Sequence, residues 1–96
     1  MKPPAILTMK AEAARALPQR HRAENLRAFG SAANGTDVDA SDLDLLVDAL
    51  PGATLFDLGA LQEELGALFG VQVDLLTPGD LPPAPRRRIL ADARKV

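Results

Sequence analysis

The sequence predicts an α+β domain, on three observations. Apolar residues recur at helical spacing in three separate stretches. Two short apolar runs, Leu43–Val47 and Val71–Leu76, are bounded by turn-forming residues, as expected of strands buried in a sheet. A weaker strand candidate precedes them, so the order is helix, strand, strand, helix, strand, helix, a layered arrangement of helices on a sheet.

Residues 1–4 contain proline and are expected to be disordered. Ile6–Leu17 reads as a helix, with Ile6, Met9, Ala13 and Ala16/Leu17 on one side, and Pro18 should end or kink it. Asn25–Phe29 is the weak strand, because its alternation is poor. Ala32–Ser41 is turn-like, with Asn34-Gly35 a strong breaker. Leu43–Val47 is a nearly continuous apolar strand, and Asp42 and Asp44 at its start are expected at the sheet edge. Pro51-Gly52 makes a turn, after which Thr54 and Asp57 form a capping box for a helix running to Phe69. Leu58, Leu61, Leu65, Leu68 and Phe69 form its stripe, and Gly70 is its stop. Gly59 and Gly66 weaken the helix and are expected to admit close backbone approach. Val71–Leu76 is the clearest strand. Pro85 fits the first turn of a last helix reaching about Arg94 and burying Ile89 and Leu90.

With 96 residues the chain is expected to form a single domain, residues 1–96. No cysteine is present, which excludes disulfides and thiolate metal sites. No apolar stretch approaches the ~20 residues of a membrane span, and no signal-peptide core is evident, so a cytoplasmic location is expected. A domain this small is marginal alone, and a homodimer or a heterocomplex is expected.

The net charge of −2 conceals a sharp partition: residues 1–29 hold six Lys/Arg and two acids, and residues 82–96 hold five Lys/Arg and one acid. Residues 30–81 hold ten Asp/Glu and no Lys or Arg. The basic ends lack interleaved aromatics for base stacking, which argues against nucleic-acid binding. Asp57, Glu63 and Glu64 read as a solvated acidic face. His21, the only histidine, reads as a surface residue among Gln19, Arg20 and Arg22. Arg86-Arg87-Arg88 is either a solvated helix start or a contact for a nucleotide or acidic partner; cations there oppose the helix dipole, which hints at use.

The chemistry lies in the acidic middle. Gly30-Ser31 follows a strand and can hold phosphate oxygens through free N–H groups and the Ser31 hydroxyl. Eleven positions after Ser31 come Asp42 and Asp44, on one face of an extended segment because side chains alternate. Asp74 is a lone acid inside an apolar run, where an unpartnered carboxylate is costly to bury. If its strand lies beside Leu43–Val47, it becomes the third acid on that face. Such carboxylates are hard oxygen ligands for two Mg²⁺ ions bridging a triphosphate. In this scheme Asp42 and Asp44 bind both metals. Asp74 binds the metal beside the incoming hydroxyl and helps take its proton.

Phe29-Gly30-Ser31, the interval to Ser41-Asp42-Leu43-Asp44-Leu45-Leu46-Val47, and Val73-Asp74-Leu75-Leu76 resemble the minimal nucleotidyltransferases of the DNA polymerase beta superfamily. The likeness continues through Pro51-Gly52-Ala53-Thr54-Leu55-Phe56-Asp57-Leu58 and Asp80-Leu81-Pro82-Pro83, covering most of residues 27–92. The resemblance implies a small palm-like mixed β-sheet flanked by helices, a nucleotidyltransferase fold without additional domains. It implies Asp42, Asp44 and Asp74 as catalytic and metal-binding residues and Gly30 and Ser31 as nucleotide-binding ones. It also implies an antitoxin that transfers AMP from ATP to tyrosine hydroxyls of a HEPN-type ribonuclease toxin. A bare palm leaves the acceptor side open, which suits a protruding segment of another protein. A non-catalytic antitoxin that neutralises its toxin by binding is the alternative. Where the family often reads Gly-Ser-Arg-Ala-Arg-Gly, this chain reads Gly30-Ser31-Ala32-Ala33-Asn34-Gly35. Positive charge must then come from Mg²⁺, the basic ends or a partner.

Overall fold

The computed structural model describes residues 9–30 and 43–96. Helix α1 (Ala11–Ala16) gives way at Pro18 to a 3₁₀ turn, Pro18–His21, as the missing proline N–H requires. The expected disorder of residues 1–4, the helical start at Ile6 and the turn at Ala32–Ser41 lie outside the described residues. Arg22, at φ 54°, swings the chain into strand β1 (Ala23–Ala28).

β1 begins two residues before the expected Asn25. Its register slips between Glu24 and Arg27, where Asn25 takes φ 61°. That left-handed conformation is one that asparagine tolerates, and the resulting bulge erases the alternation by which a strand is read. β2 (Leu43–Ala49) pairs antiparallel with β1. Helix α2 (Leu55–Phe69) opens on the expected capping box: the Asp57 N–H donates to Thr54 Oγ1 at 3.2 Å and the Thr54 N–H to Asp57 Oδ2 at 2.9 Å. Gly70, at φ 71°, closes it, its N–H donating to the Gly66 carbonyl. The helix carries the chain back so that β3 (Val73–Leu76) lies parallel to β2, a pairing no tight turn can make. Residues 71 and 72, expected in the strand, precede it.

Helix α3 (Pro83–Asp92) carries Pro85 in its first turn, as expected, with Pro83 opening it. It stops earlier than expected. Ala93 is extended, and Arg94–Lys95 forms a short strand β4 against β1. Among the described residues the sheet is therefore four-stranded and mixed, in the order β3-β2-β1-β4, which agrees with the expected small α+β palm.

The sheet buries both faces. On one, Ala14 of α1 and Leu61, Leu65 and Phe69 of α2 pack on Leu26, Leu43, Leu45, Val47 and Val73. Each fully buried leucine or phenylalanine contributes about 1.5–3 kcal/mol there. On the other face, Phe29, Leu46 and Leu81 form a smaller cluster with Leu76, Ile89 and Ala93, so α3 covers this side. Leu90, expected inside, is 39% exposed, because α3 turns only Arg86, Ile89 and Ala93 inward. Gln62 accepts the Leu75 N–H at 2.9 Å, occupying a donor on the edge strand β3. Among the described residues no helix is long and apolar enough to cross a membrane.

Candidate active site

One end of the sheet gathers the expected chemistry. β1 finishes there and runs into Gly30, while β2 and β3 both begin there. The Phe29 N–H donates to the Asp44 carbonyl at 3.1 Å, which locks the Gly30 turn beside the start of β2. Gly30 has φ 65°, and a Cβ on it would lie 3.0 Å from Asp44 Oδ2. Only glycine lets the turn and the carboxylate approach this closely.

Asp44 and Asp74 are register partners in the parallel pair β2–β3. Partners on adjacent strands lie about 4.8 Å apart and share a face, so the two carboxylates sit side by side on the face covered further along by α3. β2 is an interior strand, which corrects the expectation of a sheet edge. Asp44 reaches solvent because it stands at the strand's end, where it is half-buried. Asp74 is exposed within its apolar run, since β3 is an edge strand and Val73 and Leu75 turn to the opposite face. Its carboxylate therefore carries no burial cost. Ser31 and Asp42 lie outside the described residues, and among the described ones no set of three ligating side chains forms.

The pair fits a hard divalent cation in its chemistry: only carboxylate oxygens are offered, next to a turn with room for no side chain. Two like charges this close favour an ion between them.

Sequence reasoning missed one feature of the same face. Arg27, the register partner of Leu46, sends a two-pronged pair to Asp48: Nη2 to Oδ1 at 3.0 Å and Nη1 to Oδ2 at 3.1 Å. Asn25 adds a third bond to Asp48 Oδ2 at 3.0 Å. The Arg27 hydrogen bonds, helped by Asn25 and by the positive charge itself, hold the Asp48 carboxyl below its ordinary value against the opposing effect of burial. Arg27 Nε is buried without a partner among the described residues. An arginine and an aspartate 21 residues apart leave no local signal; only the register brings them together.

Three other polar residues that the sequence singled out find structural uses. His21 Nε2 meets Glu64 Oε2 at 2.8 Å, tying the 3₁₀ turn to α2, so this histidine is half-buried rather than freely solvated. Asp57 caps α2. Arg86 donates to the Leu81 carbonyl through Nη2 at 2.7 Å and Nε at 3.2 Å, anchoring α3.

Residues 10–96 match the nucleotidyltransferase domain family, and the chain belongs to it: it is a nucleotidyltransferase. Its likeness is to the minimal members. It is 36% identical over 74 residues, 77% of this chain and 80% of the other, to a provisionally named protein adenylyltransferase of Methanocaldococcus jannaschii. A solved structure of a provisionally assigned minimal nucleotidyltransferase superposes with a TM-score of 0.80 at 39% identity, covering 95% of this chain and 93% of that one. A toxin–antitoxin structure with AMP-PNP shares the fold, with a TM-score of 0.66 at 20% identity over 82% of this chain and 65% of the other.

Proposed function

We propose that the chain is a magnesium-dependent protein adenylyltransferase. On this reading it moves AMP from ATP to a hydroxyl, that of a tyrosine, on a HEPN-type ribonuclease toxin, and acts in the cytoplasm as that toxin's antitoxin. The observation that carries the reading is the parallel register of Asp44 with Asp74 beside Gly30. The similarity to a provisionally named protein adenylyltransferase supports the reaction class, and the fold shared with toxin–antitoxin structures supports the setting.

In this scheme Gly30 and Ser31 seat the β- and γ-phosphates through main-chain N–H groups and the Ser31 hydroxyl. Asp42, Asp44 and Asp74 would hold two magnesium ions, which would supply neutralisation of the triphosphate and acidification of the acceptor hydroxyl. Asp74, exposed at the sheet edge, faces the acceptor side and helps take the hydroxyl proton. The acceptor oxygen forms a bond to the α-phosphorus, the bond from that phosphorus to the bridging oxygen breaks, and pyrophosphate leaves with the electron pair.

Incubation with ATP, Mg²⁺ and the proposed toxin partner, followed by mass measurement, tests the proposal. The expected result is a toxin heavier by AMP with wild type and unmodified toxin with Asp42→Ala or Asp44→Ala. Unmodified toxin with folded wild type would refute it. The absence of Lys and Arg from residues 30–81 favours one second reading, neutralisation by occlusion. Occlusion predicts that Asp44→Ala still protects cells from the toxin, whereas the enzymatic reading predicts that protection is lost.

A further inference from the structure

Helix α2 presents a solvent face that an isolated domain does not need. Phe56, Ala60, Glu63 and Ala67 follow one another at helical spacing along its outer side, and all are exposed. Phe56 is 90% exposed and its neighbour Leu55 86%, while Gly59 has nothing within 4 Å of its Cβ position. The polar residues of α2 mostly have inward or local tasks: Asp57 caps, Gln62 holds β3 and Glu64 pairs with His21. Glu63 is thus the one charge on the outer stripe, and it has no ion-pair partner among the described residues. A helix apolar on nearly every side is ordinarily covered on every side.

The outer stripe of α3 has the opposite character. Arg87, Arg88 and Ala91 are exposed there, with Leu90 on the flank, and neither arginine has an ion-pair partner among the described residues. α2 and α3 lie on opposite faces of the sheet, so the two stripes cannot meet within one chain. Two copies of the α2 stripe would set Glu63 against Glu63 with no cation from residues 30–81 to offset them. Charge therefore selects the other pairing. We infer that the chain self-associates, the α2 stripe of one copy seating on the α3 stripe of a second. Glu63 then meets Arg87 and Arg88, the Phe56 ring lies against a guanidinium plane, and the small residues at 59, 60 and 67 allow close approach. Such a contact joins two different surfaces, so it closes only as a ring and otherwise continues.

Sedimentation of the purified chain over a range of concentrations tests this. Association is expected to rise with concentration and to weaken between about 0.05 M and about 0.5 M salt, as screening shortens the reach of the charges. Glu63→Arg or Arg87→Glu alone should raise the dissociation constant at least about tenfold. The double variant Glu63→Arg/Arg87→Glu should regain most of the affinity. Phe56→Ser should also dissociate the assembly, with helix content unchanged by circular dichroism. A wild type that stays monomeric overturns the inference. So does association that survives Arg87→Glu but not Phe56→Ser, which would signal α2 on α2. Glu63 and Phe56 sit on α2, on the sheet face opposite Asp44 and Asp74, so Glu63→Arg and Phe56→Ser are the variants that separate association from adenylyl transfer.

Discussion

Gly30 illustrates how closely one residue ties local conformation to the site. Its φ of 65° costs an ordinary side chain about 1–2 kcal/mol, and a methyl group would press on Asp44 Oδ2 at 3.0 Å. Gly30→Ala should lower stability by about 1–2 kcal/mol in urea unfolding and cut adenylyl transfer by at least tenfold, since the Asp44 carboxylate must shift. Asp44→Asn removes charge without bulk. Added Mg²⁺ should raise the melting temperature of wild type, because a ligand held only by the folded state stabilises it, and the rise should be lost in Asp44→Asn. Asp48 governs a different property. Its pKa is lowered in the folded protein, chiefly by the Arg27 hydrogen bonds. The stability it contributes is complete above the ordinary aspartate value of about 3.9. It is lost as pH falls through the lower folded value, because the unfolded chain then binds the proton first. Asp48→Asn should make unfolding free energy less sensitive to pH below about 4, as measured by acid titration of denaturant midpoints.

At the scale of elements, α2 shows two glycines with opposite roles. Gly59 has open space around its Cβ position, whereas at Gly66 a Cβ would meet the Val71 carbonyl oxygen at 3.2 Å. Gly59→Ala should therefore stabilise by about 0.5–1 kcal/mol through helix propensity. Gly66→Ala should gain less or lose stability, because the 71–72 link into β3 must give way. The expectation of close approach at both positions thus holds at Gly66 alone. Thr54→Ala should cost about 1 kcal/mol, read as a lower denaturant midpoint at unchanged m-value. α2 was legible because its cap, stripe and stop are all local. β1 was legible only weakly, because a left-handed Asn25 breaks its pattern, and β4 not at all, because two basic residues, Arg94 and Lys95, carry no strand signal. They become a strand only because α3 delivers them to the open edge of β1.

For the molecule as a whole, the local signals determined more than the small size suggests. Turn breakers, a capping box and apolar runs specify the α+β class. The motif from Gly30-Ser31 through Asp42, Asp44 and Asp74 points to nucleotidyl transfer through resemblance, and the family match agrees. These features depend on neighbours in the chain, so they can be read along it. The tertiary structure decided what depends on pairing between distant segments: the register that sets Asp44 beside Asp74, the Arg27–Asp48 pair, the exposure of Asp74 and the interior place of β2. It also put the acidic stripe of α2 and the basic stripe of α3 on opposite sides of one sheet. Strand order and register are settled by the burial of two faces at once, and that is a property of the assembled sheet rather than of any segment in it.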